Sequence, residues 1–560
     1  MPLDRHKLRW NGWGWRDHPD DLSGREDVWA WLAGELRMPA LLLTPALPLE
    51  DARLPPSQLT EQDRRVLARV VGAEHFRDDM YERAFHARGR SYHDLLRLRA
   101  GDLSDAPDAV VCPATTEQVL MLLAYASERG VAVVPYGGGT SVVGGVTGQS
   151  GGDRPSITID LSRMHRVEHI DPDSQLVRAQ AGICGPALEK ALAEHRLTLG
   201  HFPQSFEFST LGGWIAHRGA GQQSNRAGKA EDWLVAAELA TPRGILREPV
   251  VPASAAGPQL TDLIAGSEGA FGIITSATVR VHSQAEAATG RAWLFRHFES
   301  GAAAIRDAVQ NGVPATMLRL SDAEETRFQR TFSQIGHRRS LVDRAFAVLL
   351  NARRYTAACL LIARFEGSQD RVRWSKSAFS RIARAHGGFP LGRTPTERWQ
   401  QSRFSTPYLR DPMLDRGVGI DTLETATIWS NLGTLYRAVQ SALETAIGQT
   451  GPRAGARGIV MCHVSHSYPD GASLYFTFIF PRALDDEIAQ WQAIKHAASQ
   501  AIVANGGTIS HHHGVGQDHL PWMAQEKGAL GIDVLRAVKR SLDPKNILNP
   551  GKTVPPVRRL

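Results

Sequence analysis

The chain has 560 residues, too many to bury around one hydrophobic core, so two or three domains are expected. With 42% hydrophobic and 22% charged residues and a dispersed net charge of +6, it reads as a soluble globular protein; no basic run suggests nucleic acid, and no apolar run approaches the ~18 residues of a membrane span. Cys112, Cys184, Cys359 and Cys462 lie far apart with no C-x-x-C pair, which fits a reducing compartment and argues against a disulfide scaffold or a zinc–cysteine site.

Residues 1–104 read as a mostly helical N-terminal region. Trp10, Trp13, Trp15, Trp29 and Trp31 cluster there, and large aromatics so near a terminus predict packing on a later domain. The start "MPLDRHKLRWNGWGW" has no signal-peptide core or long leader, so a cytoplasmic location is expected. "LTPALPLEDARLPPSQLT" (43–60) is Pro-rich and reads as an extended connection.

Residues 105–284 form the next unit. "DAVVCP" reads as a strand and "ATTEQVLMLLAYASERG" as a helix with a Thr115/Gln118 capping box and a Gly130 stop. "VAVVPYGGG" is a buried strand running into a glycine loop. Further strands are "SITIDLS" (156–162), "QLVRAQAGIC" (175–184), the hairpin 233–248 and "GIITSATVRVHS" (272–283), with a helix at 185–197. The series is α+β and not a regular βαβ alternation. Residues 285–505 form a second α+β unit whose clearest element is "IVMCHVSHSYPDGASLYFTFIF" (459–480), two strands about a Pro-Asp-Gly turn. Residues 506–560 carry the run "SHHHGVG" and a closing helix.

The loop "PYGGGTSVVGG" (135–145) places three glycines after a strand. With no Cβ atoms and with positive φ allowed, successive N–H groups can converge on an anion, and Thr140 and Ser141 add hydroxyl donors. A diphosphate suits such a loop; a glycine-rich hairpin turn is the alternative. No G-x-G-x-x-G fingerprint or Walker lysine accompanies it.

Together with "PQSFEFSTLGGW" (203–214), "AHRG" (216–219) and "GSEGAFGII" (266–274), this loop resembles, in order and spacing, the flavin-contacting segments of the vanillyl-alcohol-oxidase (PCMH-type) FAD-binding domain. The resemblance implies non-covalent FAD held by Pro135, Tyr136, Gly137, Gly138, Gly139, Thr140 and Ser141. It adds Pro203, Gln204, Ser205, Phe206, Glu207, Phe208 and Ser209, then Ala216, His217, Arg218 and Gly219. Glu268, Gly269, Ala270, Phe271, Gly272, Ile273 and Ile274 complete the set. The implied fold is α+β, a PCMH-type FAD-binding domain (105–284) with a substrate-binding cap domain (285–505) and helical N- and C-terminal regions.

"RWNGWGW" (9–15), "FHARGRSYHDLLRLRAG" (85–101), "TPRGI" (241–245), "YLRD" (408–411), "DGASLYF" (470–476) and "NGGTISHHHGVG" (505–516) extend the likeness: the chain resembles the alkyldihydroxyacetonephosphate synthase family. The resemblance implies an FAD-dependent transferase of ether-lipid biosynthesis. It would exchange the acyl chain of an acyl-dihydroxyacetone phosphate for a long-chain alcohol through an adduct at flavin N5, without net redox. These lipid substrates are the implied partners. Peripheral membrane contact and a homodimer are further expectations. An FAD-dependent D-2-hydroxyacid dehydrogenase is the alternative, since it shares the domain plan and the ending "DPKNILNPGK".

Tyr475 matches the family's proton-transferring tyrosine. The strand pattern agrees: Leu474, Phe476, Phe478 and Phe480 share one face, so Tyr475 points away from that layer, toward a cavity or toward solvent. Arg410 matches a substrate-binding arginine and Arg319 a second arginine needed for activity, both able to grip an anion with paired hydrogen bonds. The family's arginine after the cysteine of the first hairpin strand is His463 here, and "RWQQSRFSTP" (398–407) is polar where relatives are apolar.

His511, His512 and His513 stand in a row. In extended chain His511 and His513 would share a face and His512 would point away, so convergence on one ion is disfavoured and no metal is expected. The reading is a catalytic polar wall that hydrogen-bonds the tyrosine or the phosphate and lowers a phenol pKa of about 10.

Overall fold

The computed structural model describes residues 4–19, 22–148, 154–336, 348, 350 and 352–556. Two larger sheets fall within residues 76–283, beside a two-stranded pair of Leu197–Thr198 with His282–Ser283. In the first, Ala132–Tyr136 pairs in parallel with Ser156–Asp160, which pairs in parallel with Ala109–Val111; Phe76–Arg77 adds an antiparallel edge. "AVVPY" suits a strand covered on both faces, where near-continuous apolar sequence is required. The crossover is the helix Thr116–Arg129. The Thr115 side chain accepts from the Gln118 N–H, and Gly130 closes the helix with φ of 70°. The second sheet is antiparallel, in the order Val167–Asp171, Leu176–Gln180, Ile273–Arg280, Leu234–Thr241, Gly244–Arg247. One core, including Ile157, Val177, Trp214, Trp233 and Val279, joins both sheets.

A seven-stranded antiparallel sheet lies within 287–481. Its order is Phe389–Gly392, Ala287–Phe295, Cys359–Gly367, Met317–Ser321, Ile459–Ser467, Gly471–Pro481, Val418–Ile428. Leu474, Phe476, Phe478 and Phe480 are fully buried in one core with Leu435, Val439 and Leu443 of the helix Leu432–Thr450. The opposite face, with Tyr475 and Thr477, looks into a cavity.

Residues before 105 are less helical than the pattern predicts. Helices span Glu26–Glu35, Glu61–Val71, Met80–Phe85 and Tyr92–Arg99, with irregular chain between them. Trp10, Trp13 and Trp15 lie in irregular chain and follow their docking partners, whereas Trp29 and Trp31 lie on the helix Glu26–Glu35. Trp10 and Trp13 are buried with Tyr136 and Phe208, and Trp29 packs with Ile420, Ile459 and Ile479 beneath the seven-stranded sheet.

Candidate active site

A cavity of about 1560 Å³ lies between the glycine loop and the open face of the seven-stranded sheet. The loop enters it directly from the strand Ala132–Tyr136. Gly139 takes the positive φ, 67°, while a Cβ on Gly138 would overlap the Phe208 carbonyl oxygen. Gly137 is pinned from behind by Arg5, whose Nη2 donates to its carbonyl at 3.1 Å. Among the described residues, no N–H from Gly137 to Ser141 donates to the protein, so five consecutive amides remain for a ligand.

Of the expected cofactor residues, Pro135–Ser141, Pro203–Ser205, Ser209, Ala216, His217, Gly219, Glu268, Gly269 and Gly272–Ile274 line the cavity; Phe206, Glu207, Phe208, Arg218, Ala270 and Phe271 do not. Phe208 instead packs edge-on against Trp13 and Trp15, at 5.8 and 5.4 Å. Glu207 lies 3.5 Å from the Tyr408 hydroxyl of "YLRD". The cavity also exposes buried polar atoms with no protein partner, on His201, His217 and Gln222. A glycine cradle with free amides beside unpaired donors and acceptors fits a long, polar, anionic cofactor such as FAD.

Tyr475 stands at the other wall. On adjacent strands its register partners are Glu424 and His463, so three polar side chains share one face. Its ring stacks on His463 at 5.0 Å, lies 6.0 Å from His512 and meets His513 edge-on at 5.5 Å. Its pKa corrects one expectation. Burial pushes the phenol above its usual value; a hydrogen bond to Thr422 and the charge of Arg410 oppose this, and the anion Glu424 adds to it. The resting group is a protonated phenol.

The three histidines do not alternate. His512 and His513 both line the cavity, whereas His511 turns behind them, with Nε2 2.6 Å from the Tyr468 hydroxyl. The cause is Glu424. Its carboxylate accepts from the N–H groups of His511 at 2.7 Å, His512 at 3.0 Å and His513 at 2.9 Å, and from the Ser510 hydroxyl at 2.8 Å. Three successive amides cannot converge on one carboxylate from an extended strand, so the segment curls. Gly514 continues the curl with φ of 90°, where a Cβ would overlap the Glu268 carboxylate. Glu268 then accepts from Val515 and Gly516, each at 2.7 Å.

Arg319 lines the cavity, but its Nη2 donates to Glu325 at 2.6 Å, and Glu325 also faces His463 at 3.3 Å. Arg319 thus reaches Tyr475 through Glu325 and His463. Arg410 lines the cavity with Nη1 bonded to the Arg90 carbonyl at 2.8 Å. The next residue, Asp411, receives the Trp13 N–H at 2.9 Å and Arg9 at 3.0 Å, which ties "RWNGWGW" to "YLRD". The polar stretch 398–407 does face the cavity, and the Arg403 guanidinium lies 4.9 and 4.7 Å from the rings of Phe202 and Phe404.

Sequence reasoning missed Glu424, His201 and His466. A register shift between Val464 and Ser467 re-aims the second of these histidines, and a bulge has no signature beyond its serines. His466 stacks on His511 at 5.1 Å, and nitrogens of His466, His511 and His512 lie within 4.8 Å of one another. Three of these six nitrogens are committed to each other or to Tyr468: His511 Nδ1 is 2.9 Å from His512 Nδ1 and His511 Nε2 meets the Tyr468 hydroxyl, while His466 Nδ1 has no partner.

The family described as the FAD binding domain matches residues 107–248, and the C-terminal domain of FAD linked oxidases matches 285–553. The alkyldihydroxyacetonephosphate synthase of Trypanosoma brucei brucei is 32% identical over 575 residues, covering 98% of this chain and 92% of the relative. A solved alkyldihydroxyacetonephosphate synthase superposes with a TM-score of 0.84 at 31% identity and covers all of both chains. p-Cresol methylhydroxylase superposes at 0.65 and 16% identity over 89% of this chain and 98% of its own, and shares the fold.

Proposed function

The chain belongs to the alkyldihydroxyacetonephosphate synthase family, and from that premise we propose that its cavity exchanges the acyl chain of an acyl-dihydroxyacetone phosphate for a long-chain alcohol. The observation that carries the reading is the continuity of one cavity from the glycine cradle to Tyr475, His512, His513 and Arg410. FAD is the cofactor, and when bound it supplies electrophilic chemistry at N5. Held by Gly137–Ser141, it would need the protein only to bind, orient and move a proton.

Arg410, oriented by Arg90, binds the substrate phosphate. Tyr475 removes a proton at substrate C1 and returns it after the alcohol has replaced the fatty acid. Arg319 acts as a positioning residue through Glu325 and His463. The polar lining at 398–407 sets which chains fit. Long-chain substrates imply contact with a membrane surface, although no helix of the described residues is long and apolar enough to cross one.

The test mixes purified holoprotein anaerobically with palmitoyl-dihydroxyacetone phosphate and hexadecanol. Ether product and free palmitate without lasting bleaching of the flavin are expected. Stoichiometric bleaching by a D-2-hydroxy acid, with no ether formed, would replace this reading with a dehydrogenase.

A further inference from the structure

We propose that Glu424 is a positioning residue for the reaction: it shapes the histidine loop and supplies the fixed negative charge that lets His512 hold the proton handed on by Tyr475. The proposal rests on the reading of Tyr475 as the proton carrier. Glu424 is 1% exposed and stands opposite Tyr475 in the strand pair. It receives four hydrogen bonds from residues 510–513, and His512 Nδ1 is its nearest imidazole nitrogen, at 3.5 Å.

A carboxylate at this depth survives only if it is paired or solvated by dipoles. Here the dipoles are three backbone amides and a hydroxyl; burial pushes the Glu424 carboxyl up, but the attraction it would have for a proton on His512, His513 or His511 and the hydrogen bond from the His512 amide bring it well below the usual carboxylate range. The rings themselves are kept neutral. Burial pushes His511 and His513 well down and His512 down, while Glu424 pulls each of them up. The site therefore rests as a buried anion beside neutral imidazoles, one proton short of balance. His512 also faces Lys229, which opposes a proton there, and Glu231, which favours one. The rings of His201, His463, His466, His511 and His513 surround it without formal charge. During turnover the C1 proton moves to the Tyr475 oxygen as the phenol proton moves to His512. Both return by the same path, and the hydroxyl proton of the incoming alcohol leaves with the released fatty acid, so the relay ends as it began. An imidazolium formed there meets Glu424, much as a buried carboxylate serves a catalytic histidine elsewhere.

Glu424→Gln keeps the shape and one oxygen acceptor while removing the charge. The holoprotein is expected to retain FAD, with kcat down by about tenfold or more and KM for acyl-dihydroxyacetone phosphate little changed. Without the anion the imidazolium is disfavoured, so the acid limb of the kcat profile moves to lower pH. The His512 titration, read by NMR of 15N-histidine-labelled holoprotein, moves the same way. In Glu424→Asp the charge remains, so both titrations stay near wild type even if turnover falls. An unmoved histidine titration in Glu424→Gln, or equal shifts in both variants, overturns the proposal. If Glu424→Gln loses FAD, the two titrations are compared on the flavin-free full-length chains of wild type and variant, and an unmoved His512 titration there overturns it instead. The NMR arm needs no ether synthesis, so failure of wild type to form ether would sink the proposed reaction separately.

Discussion

The Glu268 carboxylate, in the last flavin segment, accepts the Gly516 N–H at 2.7 Å and so fastens the histidine loop to the cofactor-binding sheet. Glu268 is 4% exposed, sits at φ of 46° and also takes the Val515 N–H at 2.7 Å. Cofactor cradle and histidine loop are therefore one structural unit. Glu268→Ala leaves two buried amides without partners, each costing about 1–3 kcal/mol. The expected result is a lowered thermal midpoint together with lost flavin. Glu268→Gln, which keeps one oxygen acceptor, should retain most of both. The checks are the flavin-to-protein ratio after desalting and the unfolding midpoint; an Ala variant with full flavin content would separate loop from cradle.

Gly138→Val should abolish FAD retention. Positive φ is not the reason, because that burden falls on Gly139; any Cβ at 138 runs into the Phe208 carbonyl and displaces the amides beside it. The variant should purify colourless with near-native circular dichroism. Stoichiometric flavin in it would mark the loop as an ordinary turn.

Tyr475→Phe keeps the ring stacked on His463 and removes only the hydroxyl. A rate loss of ~10²–10⁴-fold with unchanged flavin content is expected, the range for a lost general acid–base group. Ether synthesis within about threefold of wild type, under ~1 kcal/mol of barrier, would remove Tyr475 from the mechanism.

Stability should fall on mild acidification. His201 is buried against Trp214 and Trp233, and burial pushes it down to about 3 from 6.5. Between those values the unfolded chain binds the proton and the folded chain does not, so each such histidine costs up to about 1.4 kcal/mol per pH unit of acidification. His466, His511 and His513 act in the same sense; Asp322, pushed up to about 7 by burial, and His93, held up against burial by Asp94 and Asp518, oppose them. The unfolding midpoint should drop below about pH 6.5, before most carboxylates titrate. His201→Phe should flatten that slope; an unchanged slope would mean that His201 is protonated in the fold.

The sequence was most legible where backbone geometry leaves a residue signature. The glycine loop, the Thr115 cap, the Gly130 stop and the Leu474–Phe480 alternation all read through, because each is enforced by sterics or by a periodicity. The strand Val418–Ile428 did not, and with it went Glu424: "VGIDTLETATI" mixes polar residues on both faces, since one face carries the site. The histidine run misled for the same reason. Alternation assumes extended chain, and a carboxylate 86 positions away from Ser510 in the sequence bends it. The bulge that delivers His466 is likewise a tertiary event.

Metal is the last issue that the histidines raise. Nitrogens of His466, His511 and His512 lie within 4.8 Å of one another, close enough to capture an ion, yet the proposed chemistry needs these rings free to exchange protons. Two of the nitrogens, His511 Nδ1 and His512 Nδ1, already share a 2.9 Å hydrogen bond that a metal would have to break. Chelation with EDTA should therefore leave ether synthesis intact, and elemental analysis should find no stoichiometric zinc or iron. Added Zn²⁺ should inhibit by locking the imidazoles, EDTA should restore activity, and His466→Ala should blunt the inhibition by removing one ligand. Activity that disappears on chelation and returns with a stoichiometric metal would make the cluster a catalytic metal centre and overturn the proton-relay reading of His512.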